Sequence, residues 1–137
     1  MRIHRAVLFL FVATVLAGCR TPLYVVAERF EQSSREYNRS LRWQELEQAC
    51  LTFAAKDVKE ECVARAKGAK GVSMADYRVK STELDPAKGT ATVRVELDYY
   101  ILPSARLRTV EDLQRWRYAE EEGAERWRIV TPPPEFK

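Results

Sequence analysis

The chain has 137 residues, with 23 basic and 20 acidic residues and a formal net charge of +3 at pH 7. Arg2, Arg5 and the only histidine, His4, lie within the first five positions, so the rest of the chain is close to neutral and has no imidazole. That remainder has no block of like charge to follow a phosphate backbone, which excludes nucleic-acid binding, and it cannot build a Ser-His-Asp, Cys-His or H-E-x-x-H site.

The N-terminal segment has the pattern of a secretory signal. Two arginines precede 11 almost uninterrupted apolar residues, 6–16, and small residues then lead to a cysteine. A permanent membrane-spanning helix needs about 20 apolar residues, so we expect this shorter segment to be cleaved. The ending Leu16-Ala17-Gly18-Cys19 resembles the lipobox of bacterial lipoprotein precursors.

The resemblance to lipoprotein precursors implies a specific maturation. The signal, residues 1–18, would be cut before Cys19, whose sulfur and new amino group would both be acylated. Several acyl chains hold firmly, because each buried methylene contributes about 0.8 kcal/mol. Arg20 stands where inner-membrane lipoproteins carry a retention aspartate, so the implied location is the outer membrane, facing the periplasm. The alternative is a plain signal peptide or signal anchor in which Cys19 falls at the end by chance.

A short lipidated tether, residues 19–22, would lead into a helical half. The predicted helices cover residues 23–40, 43–55 and 57–67. In the third helix, Asp57 and Glu60 have the spacing of a capping box, with Asp57 as the N-cap. Gly68 and Gly71 are expected to end the helical half.

Two cysteines, Cys50 and Cys62, remain beyond the lipobox in an oxidising compartment. On one continuous helix their Cα atoms would stand about 18 Å apart, which a disulfide cannot bridge. A new helix starting at the capping box would bend the chain between them and permit a bond. The pattern therefore leaves open a disulfide or two separately buried thiols, and two cysteines without histidine are too few ligands for a metal.

The second half changes to a period of two, which is typical of strands. The predicted strands cover residues 72–84, 90–102, 107–120 and 125–131. Pro86 and Gly89 lie in the first connecting turn, and Pro132–Pro134 end the last strand because proline cannot donate to a ladder. Helices followed by antiparallel strands predict one α+β domain, residues 23–137, with the helices on one face of a curved sheet.

The order and lengths of these elements resemble the NTF2-like, or SnoaL-like, cone fold. Residues 37–43 and the final strand, 125–130, which follows an acidic turn, carry the resemblance. It implies a cone whose mouth lies between the helices and the concave sheet. The side chains expected to line its pocket are Tyr77, Tyr99, Trp116, Tyr118 and Trp127. Small lipoproteins of outer-membrane assembly share the element order, but their glycine-methionine landmark is not recognisable here.

Some members of the NTF2-like class isomerise small apolar molecules with a carboxylate base, a tyrosine and a protonated aspartate. Here Tyr99 falls on the apolar parity of its strand and Asp98 falls on the opposite face, so the two are not expected to share one pocket. We therefore assign no catalytic residue, no metal ligand and no cofactor.

Arginine dominates the strand half. The arginines concerned are Arg94, Arg106, Arg108, Arg115, Arg117, Arg126 and Arg128. One interpretation is a surface that docks a partner or lipid headgroups. The other is a solvated outer face, in which each cross-strand ion pair contributes a few tenths of a kcal/mol.

Together these features predict a lipid-anchored, non-catalytic binding or interaction module of the cell envelope. Its partners would be the membrane, through the lipid anchor, and either an envelope protein or a small apolar ligand. Two alternatives are a small-molecule-binding or isomerase-like enzyme that uses the cone cavity, and an accessory of outer-membrane assembly.

Overall fold

The computed structural model describes residues 20–137, so the predicted signal and the lipobox, Leu16 to Cys19, lie outside the described residues. The elements are α1 (Leu23–Arg42), α2 (Leu46–Phe53), α3 (Lys56–Gly68), β1 (Val72–Asp85), β2 (Thr90–Ile101), β3 (Arg108–Glu121) and β4 (Ala124–Ile129). The predicted order of helices followed by strands is confirmed. None of these helices is both long enough and apolar enough to cross a membrane.

The four strands form one antiparallel sheet in the order β1-β2-β3-β4, and the three helices pack with it to give a mixed α+β fold. The predicted alternation is clearest in β2. Val93, Val95, Leu97 and Tyr99 face the helices and are each no more than 4% exposed. Because β2 pairs with a strand on both sides, its inner face forms the middle of the core.

Helix α1 crosses the domain with one apolar side. Val26, Phe30, Tyr37 and Leu41 are buried at helical spacing, which places them against the sheet. The helix ends at Arg42, and Gln44 has a positive φ of 65° that breaks the helical path. The predicted start of the second helix at residue 43 is therefore wrong, since α2 begins only at Leu46.

The start of α3 also differs from the prediction. Ala55, not Asp57, is the residue before the helix, and no side chain caps it. The backbone N–H of Ala55 donates to the Ile129 carbonyl at 2.9 Å, so pairing with β4 fixes where the helix begins. Asp57 lies in the first turn, with its carboxylate 3.5 Å from Arg117 Nη2.

The two edges of the sheet are different. A parallel bridge between Ala54 and Ile129 closes the β4 edge, whereas β1 pairs only with β2. The register of β1 shifts between Val79 and Ser81, which pair with the inward Val95 and the outward Arg94. The alternation of Tyr77, Val79 and Ser81 in the sequence predicts one face for all three, which is wrong for Ser81, because the irregularity reverses the parity.

Candidate functional site

Aromatic side chains fill the space between the helices and the sheet. Phe30, Tyr37 and Phe53 pack edge-to-face on Trp116, with ring centroids 6.0, 5.5 and 6.3 Å from it. Trp127, on the neighbouring strand β4, has its ring centroid 5.0 Å from that of Phe30. Trp116 and Trp127 are each 2% exposed, so these two predicted lining residues belong to the core and not to the wall of an open pocket.

Tyr99 lies at the other end of the sheet and holds the C-terminal segment. Its hydroxyl donates to the carbonyl oxygen of Lys137 at 2.8 Å, and its ring packs on Phe136 at 5.0 Å. Arg65 of α3 donates to the Pro133 carbonyl at 2.8 Å. Residues 132–137 thus lie between α3 and the sheet and cover this part of the inner face.

The other two predicted lining tyrosines lie apart. Tyr118 packs on Trp127 at 5.3 Å, and its hydroxyl accepts a hydrogen bond from Arg29 Nη1 at 2.7 Å. Tyr77 lines an open groove between α1 and β1. The five tyrosines and tryptophans therefore do not converge on one cavity, although Trp116, Trp127 and Tyr118 belong to a connected group of rings.

A buried polar group of Asn38, Asp112 and Gln114 lies inside the domain, beneath α1. Gln114 Nε2 donates to Asn38 Oδ1 and to Asp112 Oδ2, both at 2.8 Å. The three residues are 1%, 3% and 0% exposed. They tie α1 to β3 through polar contacts in an otherwise apolar core.

Burial changes the acid–base behaviour of this group. Desolvation raises the pKa of the Asp112 carboxyl from 3.8 to about 6, although the hydrogen bond from Gln114 opposes the rise. Burial also raises the pKa of Tyr37, and the nearby charge of Asp112 adds to that effect. The Tyr37 hydroxyl and the Trp116 Nε1 are buried without a hydrogen-bond partner among residues 20–137. Asp112 and Tyr37 are therefore ionisable groups that lie near each other in the interior.

Sequence reasoning missed the buried polar group. The signal was present, because Asp112 and Gln114 precede Trp116 at steps of two and so share its face of β3. All three are buried in the structure. A polar side chain on the inner parity of a strand is the pattern that would have predicted them.

A groove between α1 and β1 has a volume of about 400 Å³. Its lining combines both elements: Phe30, Glu31, Ser34, Arg35, Asn38, Tyr77, Val79 and Thr82. Asn38 connects this groove to the buried polar group. Val79 is 51% exposed, so the groove leaves part of the inner face of β1 open to solvent.

A second depression of about 240 Å³ lies at the end of the domain where α1 and α3 finish. Leu41, Leu46, Val72 and Met74 are among its apolar walls, with Lys67, Lys70 and Glu47 among the charged residues around it. Exposed Trp43 follows α1 at the same end, and the guanidinium of Arg42 lies 5.6 Å from its ring centroid.

Cys50 and Cys62 form a disulfide, with their Cα atoms 5.6 Å apart. The bond joins α2 to α3 across the linker at Ala54 and Ala55, and both cysteines are fully buried. Of the two alternatives that the sequence left open, the structure has the bonded one. The break between α2 and α3 brings the sulfurs together, as the bend in the chain requires.

The outer face of the sheet carries ion pairs between strands. Arg78 of β1 donates to Asp98 and Glu96 of β2, and Thr109 of β3 donates to Asp98 at 2.6 Å. The hydrogen bonds from Arg78 and Thr109 lower the pKa of Asp98 from 3.8 to about 2. Asp98 thus lies on the face opposite Tyr99, as predicted, and has a structural partner there.

The arginines of the strand half do not share one surface. Arg94 lies on the outer face and pairs with Glu111 at 2.8 Å, whereas Arg128 is only 7% exposed. Arg128 donates to Glu121 at 3.2 Å and to the carbonyl of Thr52. Helix α2 and the linker after it pack along the edge of β4. Arg128 is therefore buried although it lies on the outer parity of the strand.

The fold and these contacts define a mixed α+β domain with an aromatic core, a buried polar group and a disulfide. Within residues 20–137, no three His, Cys, Asp or Glu side chains form a group that could hold a metal ion. A comparison with known protein families finds no match to the chain. A comparison with curated proteins finds none either.

Proposed function

We propose that this chain is a lipid-anchored protein of the cell envelope, held in the outer membrane and facing the periplasm, whose NTF2-like domain is a non-catalytic binding or interaction module. The lipobox pattern, Leu16 to Cys19, supports the lipid anchor. Only three residues separate Cys19 from α1, so the anchor would hold the domain close to the membrane. A long first helix packed on an antiparallel meander supports the cone fold.

The observation that carries the non-catalytic assignment is the filled interior. Where a cone would receive a substrate, Trp116 packs against Phe30, Tyr37 and Phe53. Four aromatic rings at van der Waals packing are a stable core arrangement, and opening it would expose a large apolar area to water. We therefore place partner binding on the outer surface of the domain.

The anchored location is tested by Cys19→Ser in the full chain. We expect the variant to lose acylation and to remain an uncleaved precursor, detected by the mass of the protein recovered from membranes. A matched Cys50→Ser, Cys62→Ser variant keeps Cys19 and should be acylated normally. Normal processing and acylation of Cys19→Ser would contradict the proposal.

The binding role is tested by chemical cross-linking in membranes. Two variants of similar charge loss address two surfaces: Arg115→Gln with Arg117→Gln on the outer sheet face, and Lys67→Gln with Lys70→Gln at the smaller depression. We expect one pair to lose a cross-linked partner that the other pair keeps. A wild-type protein with no cross-linked partner, or one that both variants retain, would contradict docking through these surfaces.

A second candidate function is small-molecule binding at the interior, favoured by the convergence of Asp112 with the Tyr37 hydroxyl, which has no hydrogen-bond partner among residues 20–137. Such binding would require the rings around Trp116 to move apart. The dye anilinonaphthalene sulfonate, an anion with apolar aromatic rings, is a direct probe: binding that quenches tryptophan fluorescence and is altered by Asp112→Asn supports this function. A native domain that does not bind the dye contradicts it.

A further inference from the structure

Two exposed apolar side chains lie at the beginning of α1. Leu23 is 56% exposed and Tyr24 is 73% exposed, whereas Val26 and Phe30 on the other side of the helix are buried. Fully burying a side chain of this kind is worth about 1.5–3 kcal/mol. We call Leu23 and Tyr24, together with exposed Arg20, the N-terminal patch.

The N-terminal patch lies very close to Cys19. Arg20, Thr21 and Pro22 alone separate that residue from Leu23, and even a fully extended tether of this length spans only about 10–14 Å. The tether is also attached to the domain, because the Thr21 hydroxyl donates to Glu125 Oε2 at 2.8 Å. Acyl chains on Cys19 would therefore bring this end of the domain to the surface of the bilayer.

The chemistry of the N-terminal patch suits a membrane interface. Tyrosine is enriched at that level because its ring is apolar and its hydroxyl is polar, and an arginine stem can follow the apolar region while its guanidinium meets headgroup phosphates. Beyond the first turn, the exposed side of α1 becomes polar and charged. It carries Glu28, Glu31, Gln32, Arg35, Glu36 and Arg39.

We infer that the domain docks on the lipid bilayer through Arg20, Leu23 and Tyr24 and stands on it, with α1 leading away from the membrane. The inference rests on the proposed lipidation of Cys19. Since α1 has 20 residues, its C-terminal end lies about 30 Å from the patch. That end, with Trp43 and the smaller depression, would face the periplasm.

Two acidic residues near the N-terminal patch have partners, and Glu28, one turn beyond Tyr24, is exposed. Glu125 accepts the hydrogen bond from Thr21, and Glu122 lies 3.8 Å from Lys56 Nζ. The contact would therefore depend mainly on the burial of Leu23 and Tyr24, and only weakly on anionic lipid. Docking should persist on neutral phosphatidylcholine and at high salt, where exposed charge interactions are screened.

The experiment uses the full chain, acylated in a bacterial host and reconstituted into phosphatidylcholine vesicles with or without brominated acyl chains, which quench nearby tryptophan. Trp43→Phe gives the background of the buried Trp116 and Trp127. Adding Tyr24→Trp to that background reports on the N-terminal patch. The wild-type chain reports on Trp43, so both ends of α1 are compared in the same vesicles.

We expect the added fluorescence of Tyr24→Trp to be lost in brominated vesicles and to resist aqueous iodide. The fluorescence of Trp43 should show the reverse, with loss in iodide and none in brominated lipid. Unquenched emission from position 24, or quenching of Trp43 by the lipid, would overturn the docked orientation. The double variant Leu23→Glu, Tyr24→Glu should raise the accessibility of the tether to trypsin at Arg20, and unchanged cleavage would count against the contact.

The same preparation separates the two proposals. If the purified wild-type chain lacks the mass of acyl groups and does not float with vesicles, the proposed lipidation fails and the docked orientation fails with it. If the chain is acylated and floats but position 24 stays unquenched in brominated lipid, only the orientation is overturned.

Discussion

Gln114 donates a hydrogen bond to Asn38 across the core, over a separation of 76 residues in the chain. The same amide nitrogen donates to Asp112, so one side chain on β3 satisfies both a neighbour on its strand and a residue on α1. A buried polar group that loses a partner costs about 1–3 kcal/mol. The contact between α1 and β3 is therefore specific, because an apolar replacement of Gln114 leaves both Asn38 Oδ1 and Asp112 Oδ2 without this donor.

The stability of the domain should depend on pH through Asp112. Its pKa is about 6 in the folded state and near 3.8 when exposed, so the folded state binds the proton more tightly. Its contribution to the free energy of unfolding is about 3 kcal/mol in total. That contribution is fully present below pH 3.8 and is lost as the pH rises through about 6. Urea unfolding should show wild type more stable at about pH 5 than at about pH 7, by about 1 kcal/mol from this group.

Asp112→Asn is the matched variant for that measurement. The amide keeps the shape of the side chain and does not titrate, so this part of the pH dependence should vanish while other groups keep theirs. The difference between the two proteins isolates Asp112. Equal pH profiles for wild type and variant would show that the carboxyl is not the buried acid described here.

Reduction of the disulfide should weaken the fold. The bond between Cys50 and Cys62 closes a short loop, with 12 residues of separation, for which the loop-entropy model gives about 3 kcal/mol. We expect the urea midpoint of the domain to fall on addition of a reductant. The double variant Cys50→Ala, Cys62→Ala should be unaffected by the reductant, and titration of the native protein should find neither thiol free.

Two tryptophans provide a matched pair for the core. Trp127 is 2% exposed, and its Nε1 donates to the Val26 carbonyl at 2.8 Å, whereas Trp43 is 67% exposed. Trp127→Ala should reduce the free energy of unfolding by about 3–5 kcal/mol. Trp43→Ala should change it little, by less than about 0.5 kcal/mol. Similar losses from both substitutions would contradict the described burial.

Glycines at two turns should respond differently to alanine. Gly71 and Gly89 both have positive φ, 87° and 65°, so alanine is strained at either position by about 1–2 kcal/mol. At Gly89 a new Cβ would also lie 3.2 Å from the Cβ and carbonyl oxygen of Tyr118, whereas Gly71 has open space. Thermal unfolding should therefore show the larger loss for Gly89→Ala, and the reverse order would contradict the turn geometry.

The sequence predicted those parts of the fold in which one pattern acts alone. Val93, Val95 and Leu97 alternate with polar residues, and burial of one face fixes that strand without help from its neighbours. Gly71 after α3 and Pro132–Pro134 after β4 likewise end their elements through local backbone preferences. The order of elements and the α+β class follow from such signals.

The errors arose where contacts between distant segments override local patterns. Asp57 has the residue type of a cap, but the bond from Ala55 to Ile129 sets the start of α3 instead. One interpretation of the sequence placed Arg128 on a solvated face, but α2 and its linker bury it. At the site, Asp112 holds an inner position of β3, where its charge runs against the apolar pattern that predicts burial.

The disulfide ties the stability of this domain to its place in the cell. Thiols stay reduced where the chain is made and become oxidised in an exported compartment. If the chain is exported as proposed, the newly made precursor lacks the disulfide between α2 and α3. The bond then adds about 3 kcal/mol to the free energy of unfolding only after the chain has crossed the inner membrane. The oxidising compartment would then supply part of the free energy that stabilises the folded state. The domain would be less stable before export and more stable afterwards.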